Sequence, residues 1–423
     1  MSWETMRIPN FPLIIPMLAL VACGSTGGPS ATTSAPALAK PAASAASASA
    51  KPVASGSGAP STAAKPAAAG LGQPLTAKLQ PNPQQWATLK DGAKKEGKVV
   101  VMGPGFPGLR QGFTEGFKKT HGVEVEYLGA APGEALVRIQ REAQAGKPSV
   151  DVYLTGSPSC WSLAEDGMIE DVSGSLVDPD ILQPSVWRDG APRLLKPSPK
   201  MPPNMACGIQ GADWIMTDLF VNSKMVQPSA IKSWKDLLKP EYKGKITSHD
   251  PRVPGAGGAT LAYVYSLFGE GFSKDLYAGQ QVAFNADYQQ LANSVGQGGF
   301  PIGMSLVQTT VEPLRKSGVP IERVFPEDGP GTTLGGFSVM LKIKNSPHPN
   351  AGSVFLNWFL SKEAQDMYER TMMETSLRTD VPHQVPEYVI PKPGVKYVDG
   401  YDPDFHFKYR VDAEAKVKEW FPR

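Results

Sequence analysis

Residues 245–260 read KITSHDPRVPGAGGAT and bring an acid, a forked cation and three glycines into one short segment. Residues 245–249 alternate like a strand, the run breaks at Asp250-Pro251, and an apolar helical run opens at Thr260. Backbone N–H groups at the start of a helix carry partial positive charge and have no partners inside the helix. With the Arg252 guanidinium beside them, they can hold a carboxylate or phosphate-like group, and Arg252→Ala is then expected to weaken an anionic ligand by about 2 kcal/mol. The plainer alternative is an ordinary strand-to-helix turn in which Arg252 makes a salt bridge within its own loop.

Enzymatic chemistry has weaker support. Gly103-x-Gly105-x-x-Gly108 has the spacing of a dinucleotide fingerprint, but Pro104 and Pro107 remove donors a pyrophosphate needs, and Phe106 is bulky where close approach is required. Ser229-x-x-Lys232 lacks the companion motifs of penicillin-recognising enzymes. The body has no Gly-x-Ser-x-Gly, His-Glu-x-x-His or Cys-x-x-Cys, and the five histidines are scattered, none at metal-ligand spacing. Neither a cofactor nor a metal is expected, and a surface-anchored hydrolase using paired carboxylates is the alternative from the enzyme class.

The elements that must position these residues alternate regularly. A helix over 86–96 precedes an apolar strand at 98–102. Leu109, Phe113 and Phe117, four apart, predict a helix over 109–120. A strand at 123–128, a helix at 134–145 and a strand at 150–154 follow. This βαβαβ order predicts a parallel sheet with helices on both faces, whose ligands bind at the carboxyl ends of the strands. Residues 209–222 read as a long strand passing from one domain to another. Helices at 261–268, 272–278, 287–295 and 310–316 then alternate with strands at 282–284, 301–306 and 321–325. A strand at 335–341 returns, one long helix spans 349–372, and the tail to Arg423 has no clear periodicity.

Length and charge narrow the possibilities. The chain has 423 residues, 41% hydrophobic and 19% charged, enough for two core-bearing domains. Of its 42 basic and 40 acidic residues, Arg7, Lys40, Lys51, Lys65, Lys78, Lys90 and Glu4 precede Asp91, which leaves 36 against 39 in the body. A slightly acidic body has no electrostatic reason to seek nucleic acid. Residues 8–22 are apolar but broken by Pro9, Pro12 and Pro16, too short and interrupted to span a membrane, and they end in Leu20-Val21-Ala22-Cys23-Gly24. This resembles a bacterial lipoprotein signal, which implies cleavage after residue 22 and lipidation of Cys23; a secretory peptide with a chance cysteine is the alternative. Residues 23–81 are dominated by Ala, Ser, Pro and Gly, a tether unable to bury a core; some 50 residues of flexible coil reach about 40 Å.

Several segments in order resemble the extracellular solute-binding proteins of ABC importers, in the two-hinge group that includes ferric-ion binders. They are residues 94–104 (KKEGKVVVMGP), Val221-Asn222, residues 233–240 (SWKDLLKP), Lys243-Gly244-Lys245-Ile246, Asp250-Pro251-Arg252, His348-Pro349-Asn350 and residues 359–364 (FLSKEA). The resemblance implies a type II periplasmic-binding-protein fold: two α/β domains, two hinge-crossing strands and a ligand cleft. It divides the chain into a first domain at 82–220 and 332–380, a second at 221–331 and a tail at 381–423 packed on the body. It implies a monomer that closes on one small-molecule solute and delivers it to a membrane permease, held at the bilayer through Cys23. Mapped residue by residue, the ligand contacts are Gly105, Phe106, Ser157 and Ser159 from the first domain and Asp213 and Trp214 from the first crossing. The second domain adds Arg252, Gly255, Asp287, Tyr288 and Ser305. Ferric binders use adjacent tyrosines in the segment matching 303–310, which here is GMSLVQTT. Without that pair the resemblance implies a small organic solute, anionic if Arg252 is its fork, over a ferric site built from other ligands.

With Cys23 lipidated, Cys160 and Cys207 are an even pair in an oxidising compartment. A bridge between them would close a loop worth roughly 4 kcal/mol in chain entropy, and two buried thiols are the alternative.

Overall fold

The computed structural model describes residues 79–422 except 217, 218, 330, 335 and 393. The leader, Cys23 and the tether up to residue 78 lie outside the described residues. The tether's expected end at 81 is corrected. Leu79 is buried in the first core, and the Asn82 N–H donates to Val177 O, so the folded body starts earlier.

Asn82 opens α1 (Pro83–Glu96) by accepting from the Gln85 N–H, and Gly97, at φ 75°, ends it in the left-handed conformation that glycine adopts without strain. β1 (Lys98–Gly103) is buried at every position but its first, as a central parallel strand must be. α2 (Pro107–His121) buries Leu109, Phe113 and Phe117, the stripe their spacing predicts. β2 (Glu124–Gly129), α3 (Pro132–Gln144), β3 (Val152–Thr155) and α4 (Ser157–Glu165) follow, and β1 pairs in parallel with both β2 and β3. After β4 (Arg193–Leu194) and β5 (Ile209–Gln210) the chain crosses through β6 (Ala212–Met216) to β7 (Leu219–Asn222). The second lobe continues with β8 (Ile246–His249), α5 (Ala256–Lys274), β9 (Ala283–Asn285), α6 (Tyr288–Gly296), β10 (Ile302–Met304), α7 (Gln308–Lys316) and β11 (Ile321–Arg323). β12 (Thr332–Leu334) returns to β13 (Val339–Lys342), α8 (Pro349–Phe359), α9 (Lys362–Met372) and β14 (Thr375–Ser376). β15 (Val398–Asp399) and α10 (Val411–Trp420) complete the described chain.

Three sheets organise these elements. The first lobe is ordered β2-β1-β3-β13-β5-β4, the second β11-β7-β10-β8-β9, and a third sheet, β14-β6-β12-β15, holds the crossings. There β6 and β12 run antiparallel, with Leu334 opposite Trp214 and Thr332 opposite Met216. An aromatic core of Phe113, Phe117, Phe355 and Trp358 fills the first lobe; Trp234, Tyr263 and Tyr277 anchor the second. Cys160 and Cys207, with Cα atoms 5.9 Å apart, are joined as a disulfide between α4 and the segment before β5.

Several sequence-based boundaries shift. The expected domain limit at 220 falls inside β7, a strand wholly of the second sheet. The single helix expected over 349–372 is two. Ser361 caps α9 by accepting from the Ala364 N–H, and Arg378 donates to Leu360 O at the break. The two helices expected after residue 260 are present within α5, separated at Gly269, whose φ of 79° is not helical; the first starts earlier than expected, at Ala256. The expected return strand at 335–341 begins only at Val339. In the aperiodic tail, β15 joins the hinge sheet, and α10 packs on the second lobe, burying Ala413 and Val417.

Candidate functional site

Between the lobes lies a cleft of about 910 Å³, counting space open to solvent. It forms because the helices that follow the strands start at its walls. Phe106 precedes α2, Pro132 opens α3, and Gly156 and Ser157 open α4 on the first lobe. Gly255 precedes α5, Tyr288 opens α6 and Val307 precedes α7 on the second. α2, α4 and α7 have no side-chain cap at these ends. The positive ends of the helix dipoles therefore converge on one space. Trp214, Met216 and Leu334 of the hinge form its floor, and Phe337 and Met372 add apolar wall.

Among the described residues, two buried polar atoms in this lining have no partner: Trp214 Nε1, a donor, and Gln308 Oε1, an acceptor. Gln308 is otherwise fixed, its Nε2 donating to Met372 O and Met373 O. Two lining residues carry ionisable charge, Glu374 and Arg410. Glu374 is 2% exposed and accepts from the Tyr368 hydroxyl; burial pushes its carboxyl up to about 8, so at neutral pH it is mostly protonated. Arg410 Nε donates to Glu414 Oε1 at 2.8 Å and Nη2 to Gly255 O at 3.4 Å.

The start of α5 is furnished from within. The Ala256 N–H donates to the Tyr288 hydroxyl at 3.0 Å and the Gly257 N–H to His249 Nδ1 at 3.3 Å, while the two rings stack 4.3 Å apart. Burial pulls His249 down to about 4, leaving its imidazole neutral and able to accept. A Cβ at Gly257 would meet His249 O at 2.3 Å, which is why a glycine stands where the helix presses on β8.

Of the residues expected to contact a ligand, the cleft brings together Phe106, Ser157, Ser159, Trp214, Gly255 and Tyr288. Five others are elsewhere. Arg252 is corrected: its Nε and Nη2 donate to Asp250 Oδ1 and Oδ2, each at 2.8 Å, and its guanidinium lies over Phe284, so it is the salt bridge of its own loop. Asp213 is fully buried at the hinge, taken up by Arg188 and Thr375. Asp287 caps α6 by accepting from the Gln290 N–H. Ser305 is buried behind the wall, its hydroxyl 3.2 Å from that of Ser248. Gly105 lies outside the lining and is exposed.

Sequence reasoning missed Gln308, Glu374 and Arg410. Gln308 lay within the segment inspected for tyrosines; the other two carried no local signal. Among the described residues no three histidine, cysteine, aspartate or glutamate side chains converge as a metal-holding group.

Residues 112–389 match the family described as bacterial extracellular solute-binding protein. The chain belongs to that family: it is the substrate-binding component of an ABC-type importer, an extracytoplasmic binding protein and not an enzyme. A putative 2-aminoethylphosphonate-binding periplasmic protein of Salmonella typhimurium is 22% identical over 315 residues, 72% of this chain and 85% of the relative. Among solved structures, a periplasmic binding protein of Actinobacillus pleuropneumoniae with fructose-6-phosphate bound superposes with a TM-score of 0.58 at 17% identity, covering 76% of this chain and 98% of that one. Iron-bound HitA of Pseudomonas aeruginosa gives 0.58 at 17%, covering 77% and 99%. These likenesses establish the two-lobed periplasmic-binding-protein fold.

Proposed function

We propose that the protein is a monomeric, lipid-anchored binding protein that captures a small anionic organic solute between its lobes and hands it to a membrane permease. The observation that carries the anionic reading is the convergence of the uncapped N-termini of α2, α4 and α7 on a cleft whose only carboxyl among the described residues is held mostly protonated by burial. Aromatic and aliphatic walls suit the solute's organic part, and the unpaired Trp214 Nε1 and Gln308 Oε1 offer it one donor and one acceptor. A relative named as a putative 2-aminoethylphosphonate-binding protein and a solved structure with fructose-6-phosphate bound fit an oxyanion, while another relative is a spermidine/putrescine-binding protein. Ferric iron is less well served, because the segment 303–310 sends Gln308, not tyrosine, to the cleft. Closure requires only that the solute make better contacts in the closed state than in the open one.

The test is a thermal-shift screen of the purified chain against organic phosphates, phosphonates, carboxylates, amines and ferric citrate. A ligand at a hundred times its Kd adds about 2.7 kcal/mol and raises the midpoint visibly. Shifts by organic anions alone support the reading; shifts by ferric citrate or amines alone refute it. The anchor is tested separately: the mature protein should carry a lipid on Cys23, and Cys23→Ser should release it from the membrane fraction.

A further inference from the structure

We infer that the C-terminal segment completes the solute site and that Arg410, which it carries to the cleft, takes the solute's anionic group; the inference rests on the anionic-solute reading above. The segment lies outside the family match, which ends at residue 389, yet it is fixed to both lobes. On the hinge side β15 pairs with β12, placing Val398 opposite Thr332 and Asp399 opposite Thr333. On the first lobe the Tyr401 hydroxyl lies 2.7 Å from Ser338 Oγ, and the His406 and Phe407 rings pack on Trp161 at 4.8 and 5.6 Å. On the second lobe Ala413 and Val417 are fully buried, and the Phe421 ring meets that of Phe284 edge-on at 5.0 Å. Residue 410 sits between these anchors, so its position is set from both sides.

The guanidinium is suited to a ligand. Its side chain is 12% exposed, and the bonds to Glu414 and Gly255 O leave further N–H groups of the fork without partners among the described residues. Glu414 fixes its orientation from outside the lining. A Cβ at Gly258 would come within 2.6 Å of Glu414 Oε1 and 3.3 Å of Arg410 Nη2, so a glycine there gives the pair room against α5. Arg252, by contrast, lies outside the cleft lining, with its Nε and Nη2 both on Asp250. A forked cation with free donors, lining the cleft beside helix N-termini, matches a phosphate, phosphonate or carboxylate group.

The full mature chain is titrated with inorganic phosphate, 2-aminoethylphosphonate, fructose 6-phosphate and citrate. The anion that shifts it most is then compared across Arg410→Met, Arg410→Lys and Arg252→Met. Arg410→Met should weaken that anion about tenfold or more, Arg410→Lys should restore part of the loss, and Arg252→Met should stay within about twofold. An Arg410→Met protein that binds within about twofold of the unaltered chain, or an Arg252→Met protein that loses as much, overturns the assignment. If Arg410→Met fails to fold, Arg410→Lys decides: it keeps the charge without the fork, and unchanged affinity counts against the inference. If none of the four anions binds the unaltered chain while an amine or ferric citrate does, the anionic-solute reading fails and this inference falls with it.

Discussion

Two arginines flank the start of α5, and their fates differ. Arg252 stands two residues from Asp250, is clamped by both carboxylate oxygens and rests over Phe284. Arg410 comes from a segment more than a hundred residues away, makes one ion pair and keeps part of its fork toward the cleft. The first is a local device that stiffens a turn; the second also pairs locally, with Glu414 four residues on, but tertiary contacts of its segment carry it to the cleft. A charged side chain near a strand end is thus no guide to a site until its partner is known.

The comparison can be broken first at its anchor. Val417→Asp would bury an unpaired charge in the second lobe's core, and we expect a loss of about 4 kcal/mol in urea unfolding; a loss below about 1 kcal/mol would show that α10 does not hold the segment in place. The next effect belongs to His249, which joins the loop to α5. Its folded pKa of about 4 lies below the ordinary value of 6.5, so the unfolded chain takes up the proton first as pH falls. Its contribution is complete above pH 6.5 and lost toward pH 4, roughly 3 kcal/mol at the extreme. His249→Asn should flatten that part of the stability profile, and a profile identical to that of the unaltered chain would contradict it.

Glu374 sharpens the comparison from the opposite wall. With its carboxyl pushed up to about 8, ionisation above that pH places a negative charge in the cleft. Affinity for an anion should fall about fivefold between pH 7 and 9, and Glu374→Gln should remove the dependence; an equal slope in both proteins would speak against it. The smallest effect is at Arg252. Arg252→Ala should cost about 1 kcal/mol of stability, since its ion pair is partly exposed, and leave solute affinity unchanged. A change in affinity with no change in stability would restore Arg252 to the site.

Much of the scaffold was legible because its signals are local. The stripe of Leu109, Phe113 and Phe117 marked α2, the β-branched run before Gly103 marked β1, and the alternation of strand and helix predicted where helix N-termini gather. Phe106, Ser157 and Ser159 stand at the strand ends of that alternation, Gly255 and Tyr288 came from the family resemblance, and all five line the cleft. Trp214 came instead from the crossing strand. Asp213, its neighbour, points the other way into the hinge, as the period of two in a strand requires. The break at Leu360 was invisible because the apolar spacing continues across it; only the Ser361 cap and Arg378, folded back from a later loop, end the helix there.

The sequence by itself determined the alternating α/β scaffold, the edge of each sheet where a ligand meets helix N-termini, and the missing tyrosine pair. These depend on hydrophobic period, turn residues and residue identity, which act over a few positions. Tertiary structure alone decided which arginine faces the cleft, that Glu374 is buried enough to stay protonated, and that the tail closes over the hinge into the second lobe. Each of these follows from long-range packing that removes water from a charge or supplies it with a partner, and no window of neighbouring residues records it.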